Sequence, residues 1–180
     1  MLEETENLYI LIKNIDKNNI DNEFLKLLEH YDLDTLIFLF KLEYDYIFDI
    51  PKYEKKLKRI HQNKFRNEIV NLYNNRCIIT GVNIFEACHI IPFCNSDYKN
   101  KYDKYNGILL KSDLHNLFDK YIFSINPNTL QIEFNKTFLL DNNNKLEYER
   151  FNNTLIKKNF DIKVIHNLKS HYENFLQSDL

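Results

Sequence analysis

"EACHIIPF", residues 86–93, decides how the rest of the chain is read. It is an apolar run holding one histidine, His89, and it is broken by Pro92. A histidine alone in such a run is ordinarily a core residue whose ring nitrogens are satisfied. At the end of a strand, with other chemistry-bearing groups nearby, it becomes a candidate base. Read as a strand, the run puts Glu86 and Cys88 on one face, because side chains alternate.

The next informative stretch is "NGILLKSDLHNLFDKY", 106–121. Asn106–Gly107 is a turn signal. Beyond it the pattern predicts a helix that Ser112 or Asp113 would cap, with Leu114, Leu117 and Phe118 buried. His115 and Asp119 stand four residues apart and so share a face of that helix. An imidazole and a carboxylate at this spacing form a half-site for a divalent ion: Zn, Mn, Ni or, less well for imidazole, Mg. The plain alternative is a surface pair. If a strand–loop–helix hairpin brings His89 opposite that face, a base and a metal stand together. A histidine in such a place deprotonates water near neutral pH, and a metal stabilises charge on a phosphoryl oxygen.

Around this centre the chain reads mostly as helix. Leu8, Leu11, Ile12 and Ile15 have helical spacing. Asp21 is the expected N-cap of a second helix through Phe24 and Leu28, and residues 32–48 are expected to form a third. Residues 52–73 predict a long helix with Lys55, Lys56, Lys58, Arg59, Lys64 and Arg66 crowding its first half. "RCIITG", 76–81, reads as a strand entering a turn at Gly81. Residues 121–125 and 130–134 read as a hairpin around Asn126–Pro127–Asn128, "DNNNK" as a loop, and the C-terminal stretch as an amphipathic helix.

Composition narrows the classes. With 180 residues, 44% hydrophobic and 14% aromatic, the chain can bury a core. Two glycines exclude a Gly-rich phosphate loop. Three cysteines, Cys77, Cys88 and Cys94, contain no CxxC pair and argue against a secreted disulfide framework. No signal peptide and no membrane-spanning run are read, so an intracellular protein, cytoplasmic or nuclear, is expected. The Asn, Lys, Ile, Tyr and Phe content suggests an AT-rich coding genome, such as that of a large DNA virus. The net charge of -2 hides an asymmetry. Residues 1–50 hold 12 of the 26 acids and 4 of the 24 bases, a balance of -8; the remainder carries +6. The expected organisation is therefore an acidic helical segment, 1–50, that caps, dimerises or binds a partner, followed by a basic part, 51–180, suited to a polyanion.

The wording "RCIITG…FEACHIIPF…NGILLKSDLHNLFDKYIFSI" strongly resembles the HNH nucleases of the ββα-metal fold, in the branch with an "ITG…EAAHI.P…NGLLL..DLH.LFD" type of motif. The resemblance covers roughly 64–135 and extends along the C-terminal helix to about 176. It implies an α+β fold: a ββα-metal core with flanking helices and an N-terminal helical segment. It implies that His89 is the general base, that Asn106 pins the loop and orients the base, and that His115 is a metal ligand. Asp119 falls where some members place a further ligand. It also implies one divalent ion (Mg, Mn, Zn or Ni), double-stranded DNA as substrate, and 5′-phosphate and 3′-hydroxyl products.

The chain departs from the family pattern at Cys88, where many HNH enzymes hold a ligating Asp or His and this branch often has a small residue. Cys88 is then either a thiolate ligand for a soft ion or a small buried residue. Glu86, on its face, is a candidate ligand or a partner of one. Lys99, Lys101 and Lys104, in the loop between the histidine and the asparagine, join the basic helix as candidate phosphate contacts, with Tyr98, Tyr102 and Tyr105 able to pack on sugar or base. A homodimer would suit cutting of both strands. Two other readings stand beside the endonuclease: a non-catalytic nucleic-acid-binding module on the same scaffold, and a helical interaction protein in which the motif is accidental. His30, His61, His166 and His171 read as structural or exposed.

Overall fold

The computed structural model describes residues 2–44, 50–92 and 101–178, without the side chains of residues 2–5, 17 and 50–52. Lys99, Tyr98 and Cys94 lie outside the described residues. The fold is α+β: helices with two small antiparallel sheets. The chain divides into two compact units, 1–63 and 64–180. That division falls inside one long helix, whereas the change in charge balance lies near residue 50.

The first unit holds α1 (Leu2–Lys13), α2 (Ile20–Leu27), α3 (Leu33–Tyr44) and the first part of α4 (Ile50–Leu72). Its core gathers Leu8, Ile12, Phe24, Leu28, Leu36, Phe40 and Tyr53. Phe24 is the hub, meeting Phe40 edge-on at 5.1 Å and Tyr53 at 4.5 Å. Such aromatic pairs add about 0.5–1.5 kcal/mol beyond the area they bury. Asp32 starts α3 by accepting the Thr35 amide hydrogen at 2.8 Å. Asp21 does not cap α2; Asn19 occupies that position, and the Asp21 carboxylate accepts from the Tyr53 hydroxyl instead.

The second unit is built on β1 (Glu86–His89), β2 (Gly107–Leu110) and α5 (Ser112–Asp119). β1 and β2 pair antiparallel, with Cys88 opposite Ile108 and His89 opposite Gly107. All four residues of β2 are buried. A second hairpin, β3 (Phe123–Ile125) with β4 (Ile132–Phe134), follows; Asn126 closes its turn by accepting the Asn128 amide hydrogen at 2.9 Å. Then come α6 (Asn142–Tyr148) and α7 (Ile162–Ser178). The core joins Phe65 and Ile69 of α4 to Ile108, Leu114, Phe118, Phe123 and Leu168.

Three expected elements differ. "RCIITG" is a tight turn, not a strand. Its amides bond within the loop, Gly81 to the Cys77 carbonyl and Cys77 to the Val82 carbonyl, and Gly81 takes a φ of 70° that glycine adopts without penalty. One amide, Ile78, reaches the Leu109 carbonyl and ties the turn to β2. The Asn-rich "DNNNK" is no loop: Asp141 accepts the amide hydrogens of Asn143 and Asn144 and starts α6. At the head of α5, Lys111 occupies the N-cap position and neither Ser112 nor Asp113 caps. No helix among the described residues is long and apolar enough to cross a membrane.

Candidate metal centre and base

β1 distributes its side chains to two sides. Glu86 and Cys88 meet α5, while His89 meets α4 and the loop before β2. The alternation expected of a strand therefore separates a cluster of ion donors from a histidine one residue away.

On the first side, Cys88, His115 and Asp119 each offer a donor atom, all within 4.8 Å of one another. His115 is clamped: its Nδ1 lies 2.8 Å from Glu86 Oε2 and its Nε2 lies 3.3 Å from Asp119 Oδ2. Ser112 donates its hydroxyl to the other Glu86 oxygen at 2.8 Å. Those bonds, from His115 first and then Ser112, hold the Glu86 carboxyl below its ordinary range. Burial opposes ionisation of Asp119, but the contacts from His115 outweigh it and the carboxyl stays low. The Asp119 bond raises the His115 pKa against the effect of burial. Cys88 is fully buried and its Sγ lies 3.7 Å from Asp119 Oδ1; burial, then the Asp119 charge, push its thiol well up.

This donor set suits a divalent cation. His115 Nε2 with Asp119 is an N,O pair acceptable to Mg, Mn, Ni or Zn, and Cys88 adds sulfur that only a soft ion rewards. Glu86 faces Nδ1 of His115, the arrangement in which a carboxylate orients a ligating imidazole through its other nitrogen.

On the second side, His89 Nε2 lies 2.9 Å from the Lys101 carbonyl. A carbonyl only accepts, so Nε2 carries the hydrogen and Nδ1 is the ring's proton acceptor. Burial lowers the His89 pKa, partly offset by that hydrogen bond and by Asp119, so the ring is neutral at neutral pH. The imidazole lies flat on the Phe65 ring, 4.2 Å between centroids and 9° between planes.

Asn106 is buried and works as a side-chain rung. Its Oδ1 accepts the Ile91 amide hydrogen at 2.8 Å and its Nδ2 donates to the Ile91 carbonyl at 3.2 Å, while its own carbonyl accepts from Ile90 at 3.0 Å. The residues just after His89 are thereby fastened to the start of β2.

The structure thus brings Glu86, Cys88, His89, Asn106, His115 and Asp119 into one region. The basic residues are more dispersed. Lys55, Lys58 and Arg59 are exposed in the first unit, with Lys56 half-buried; Lys64 and Arg66 are exposed in the second. Arg66 is close enough to lower the Glu86 pKa slightly. Lys101 contributes its carbonyl to His89, and the Lys104 ammonium sits 5.2 Å from the Tyr105 ring. His30 and His166 are exposed and His61 half-buried. His171 is buried, between Ser124 and the Phe118 carbonyl. Phe65, Gly107 and Ser112 are the site's unforeseen members. Only the pairing of Gly107 with Asn106 in a turn signal hinted at one of them.

No curated protein matches the chain. Residues 77–126 match the model of a protein family described as HNH endonuclease. The matched stretch runs from the Cys77 turn through β1, β2 and α5 to the end of β3, and contains His89, Asn106 and His115. By that match and that ββα unit, residues 77–126 are similar to the HNH endonuclease family.

Proposed function

We propose that the protein is a metal-dependent endonuclease that hydrolyses double-stranded DNA inside the cell, cytoplasmic or nuclear. The observation that carries this reading is the split of β1: His89 presents a neutral imidazole with Nε2 committed to Lys101, while the adjacent Cys88 stands in the donor cluster with His115 and Asp119.

In this reading the Nδ1 atom of His89 takes a proton from water. The resulting hydroxide attacks phosphorus opposite the 3′ oxygen, which departs and is protonated from solvent. The ends are a 5′-phosphate and a 3′-hydroxyl. His115 and Asp119, joined by Cys88 for a soft ion, would hold a divalent metal, which when bound would supply positive charge to offset the negative charge developing on the phosphate. Glu86 and Ser112 fix the His115 ring. Asn106 holds the backbone after His89, so the base does not drift from its carbonyl partner. Lys64, Arg66, Lys101, Lys104 and Lys99, with Lys55, Lys56, Lys58 and Arg59 of the first unit, meet phosphates. Binding of duplex DNA therefore weakens steeply with salt. The acidic residues 1–50 serve a protein partner, a second copy included, since one centre cuts one strand.

The test is plasmid cleavage by the pure protein in Mg, Mn, Ni or Zn, beside His89→Ala. Cleavage by the intact chain and its loss in the variant are expected. Cleavage that survives the substitution would overturn the base. Binding without cleavage under every metal would favour the non-catalytic module.

A further inference from the structure

We infer that Phe65 is a positioning residue for His89, and that its aromatic face, not only its bulk, sets the competence of the base. This rests on the proposed function for its catalytic consequence, though not for its geometry.

A hydrogen bond from Nε2 to the Lys101 carbonyl fixes one point of the imidazole. A further constraint is the Phe65 ring, parallel to the imidazole within 9° at 4.2 Å. Together they hold the direction in which Nδ1 points. α4 reaches His89 because Gly107, the residue opposite His89 in the ladder, has no side chain. A Cβ there would stand 2.0 Å from Ile69 Cδ1 and 2.9 Å from Phe65 Cζ. Phe65 is itself buried among apolar neighbours, so its ring has little room to leave.

The face matters as well as the bulk. A flat aromatic ring meets the flat imidazole over its whole area. An aliphatic side chain of similar volume would fill the space without presenting a plane that fixes the tilt of the imidazole. Phe65 therefore acts through His89 without touching substrate.

The experiment compares Phe65→Leu, Phe65→Met and Phe65→Tyr in the full-length chain. Two readouts are taken: steady-state cleavage of a duplex in Mg or Mn, and the imidazole tautomer of His89 at one fixed pH from its ring ¹⁵N shifts. The aliphatic variants are expected to lose about tenfold in kcat with KM within twofold, and to gain the Nδ1–H tautomer. The tyrosine variant is expected to stay within about threefold and keep the Nε2–H tautomer. Equal losses in all three variants, or an aliphatic variant with intact kcat and an unchanged tautomer, would overturn the inference. If the leucine variant does not fold, the more pliable methionine carries the comparison. If the intact chain cuts nothing, the proposed function fails, and the His89 tautomer still decides the role of Phe65.

Discussion

His115 and Glu86 meet at 2.8 Å across the gap between α5 and β1, and this contact turns the other imidazole nitrogen toward Asp119. The nitrogen left facing the candidate ion site is therefore selected by a residue on the strand, Glu86. Glu86 in turn is held by Ser112 from the first turn of the helix that carries His115.

Glu86→Gln keeps the shape of the contact and removes its charge. Weaker orientation and a less basic imidazole are expected to cost about 10–100-fold in affinity for Mn or Zn. Titration calorimetry with each ion reads this directly. Unchanged affinity would mean that His115 is held by Asp119 and packing alone.

Asn106 satisfies two backbone groups of Ile91 that would otherwise lack these partners. Asn106→Ala is expected to destabilise the chain by about 1–3 kcal/mol, the range for stranding buried polar groups. Asn106→Asp retains the acceptor, loses the donor and adds a buried charge, so it should be at least as harmful. Denaturant melts of the two variants check the order.

Gly107→Ala would drive a methyl group into Ile69 and Phe65. The φ of −139° at this position suits any residue, so the cost is steric. Overpacking of this kind costs about 1–3 kcal/mol. A melt of Gly107→Ala beside the double variant Gly107→Ala/Ile69→Val tests the cause, because trimming Ile69 should recover part of the loss.

His171 donates Nε2–H to the Phe118 carbonyl, which in the neutral ring leaves Nδ1 to accept from the Ser124 hydroxyl. Burial lowers its pKa to about 4. The unfolded chain binds that proton near the ordinary value of about 6.5. Stability from this group is therefore present above about pH 6.5, falls as the pH drops towards 4, and levels off below. The integrated loss is roughly 3 kcal/mol. His171→Gln should be less stable at pH 7.5 yet lose less between pH 7.5 and 4.5, by about 2–3 kcal/mol, in urea titrations. Equal losses would place the acid sensitivity elsewhere.

Much of the centre was legible because it is local. His115 and Asp119 share a helix face by spacing alone, and Glu86 and Cys88 share a strand face by alternation. What lay hidden depends on contacts distant in sequence. Nothing in the pattern of α4 says that Phe65 will lie on His89, since a buried aromatic at helical spacing looks the same whatever it packs against. The β-branched run at Ile78–Thr80 favoured a strand, but its amides close a loop around Gly81. The asparagines after Asp141 lack apolar periodicity, so a helix started by that one carboxylate was not visible.

Cys88→Ala separates the two readings of the thiol. Cys88 is completely buried, and its neighbours push its thiol toward the protonated form, which is no ligand. A hard ion gains nothing from that sulfur, so affinity for Mg or Mn should change less than threefold in the variant. A soft ion can displace the thiol proton and recover the cost of burial through a metal–sulfur bond. Zinc or cadmium affinity should therefore fall at least tenfold, and the near-ultraviolet absorption of a cadmium–thiolate bond should vanish. Proton release on zinc binding should fall by about one per site, because the thiol no longer ionises. Soft-ion affinity and proton release identical to those of the intact chain would assign Cys88 to packing, and leave His115 and Asp119 as the chain's ion ligands in this centre.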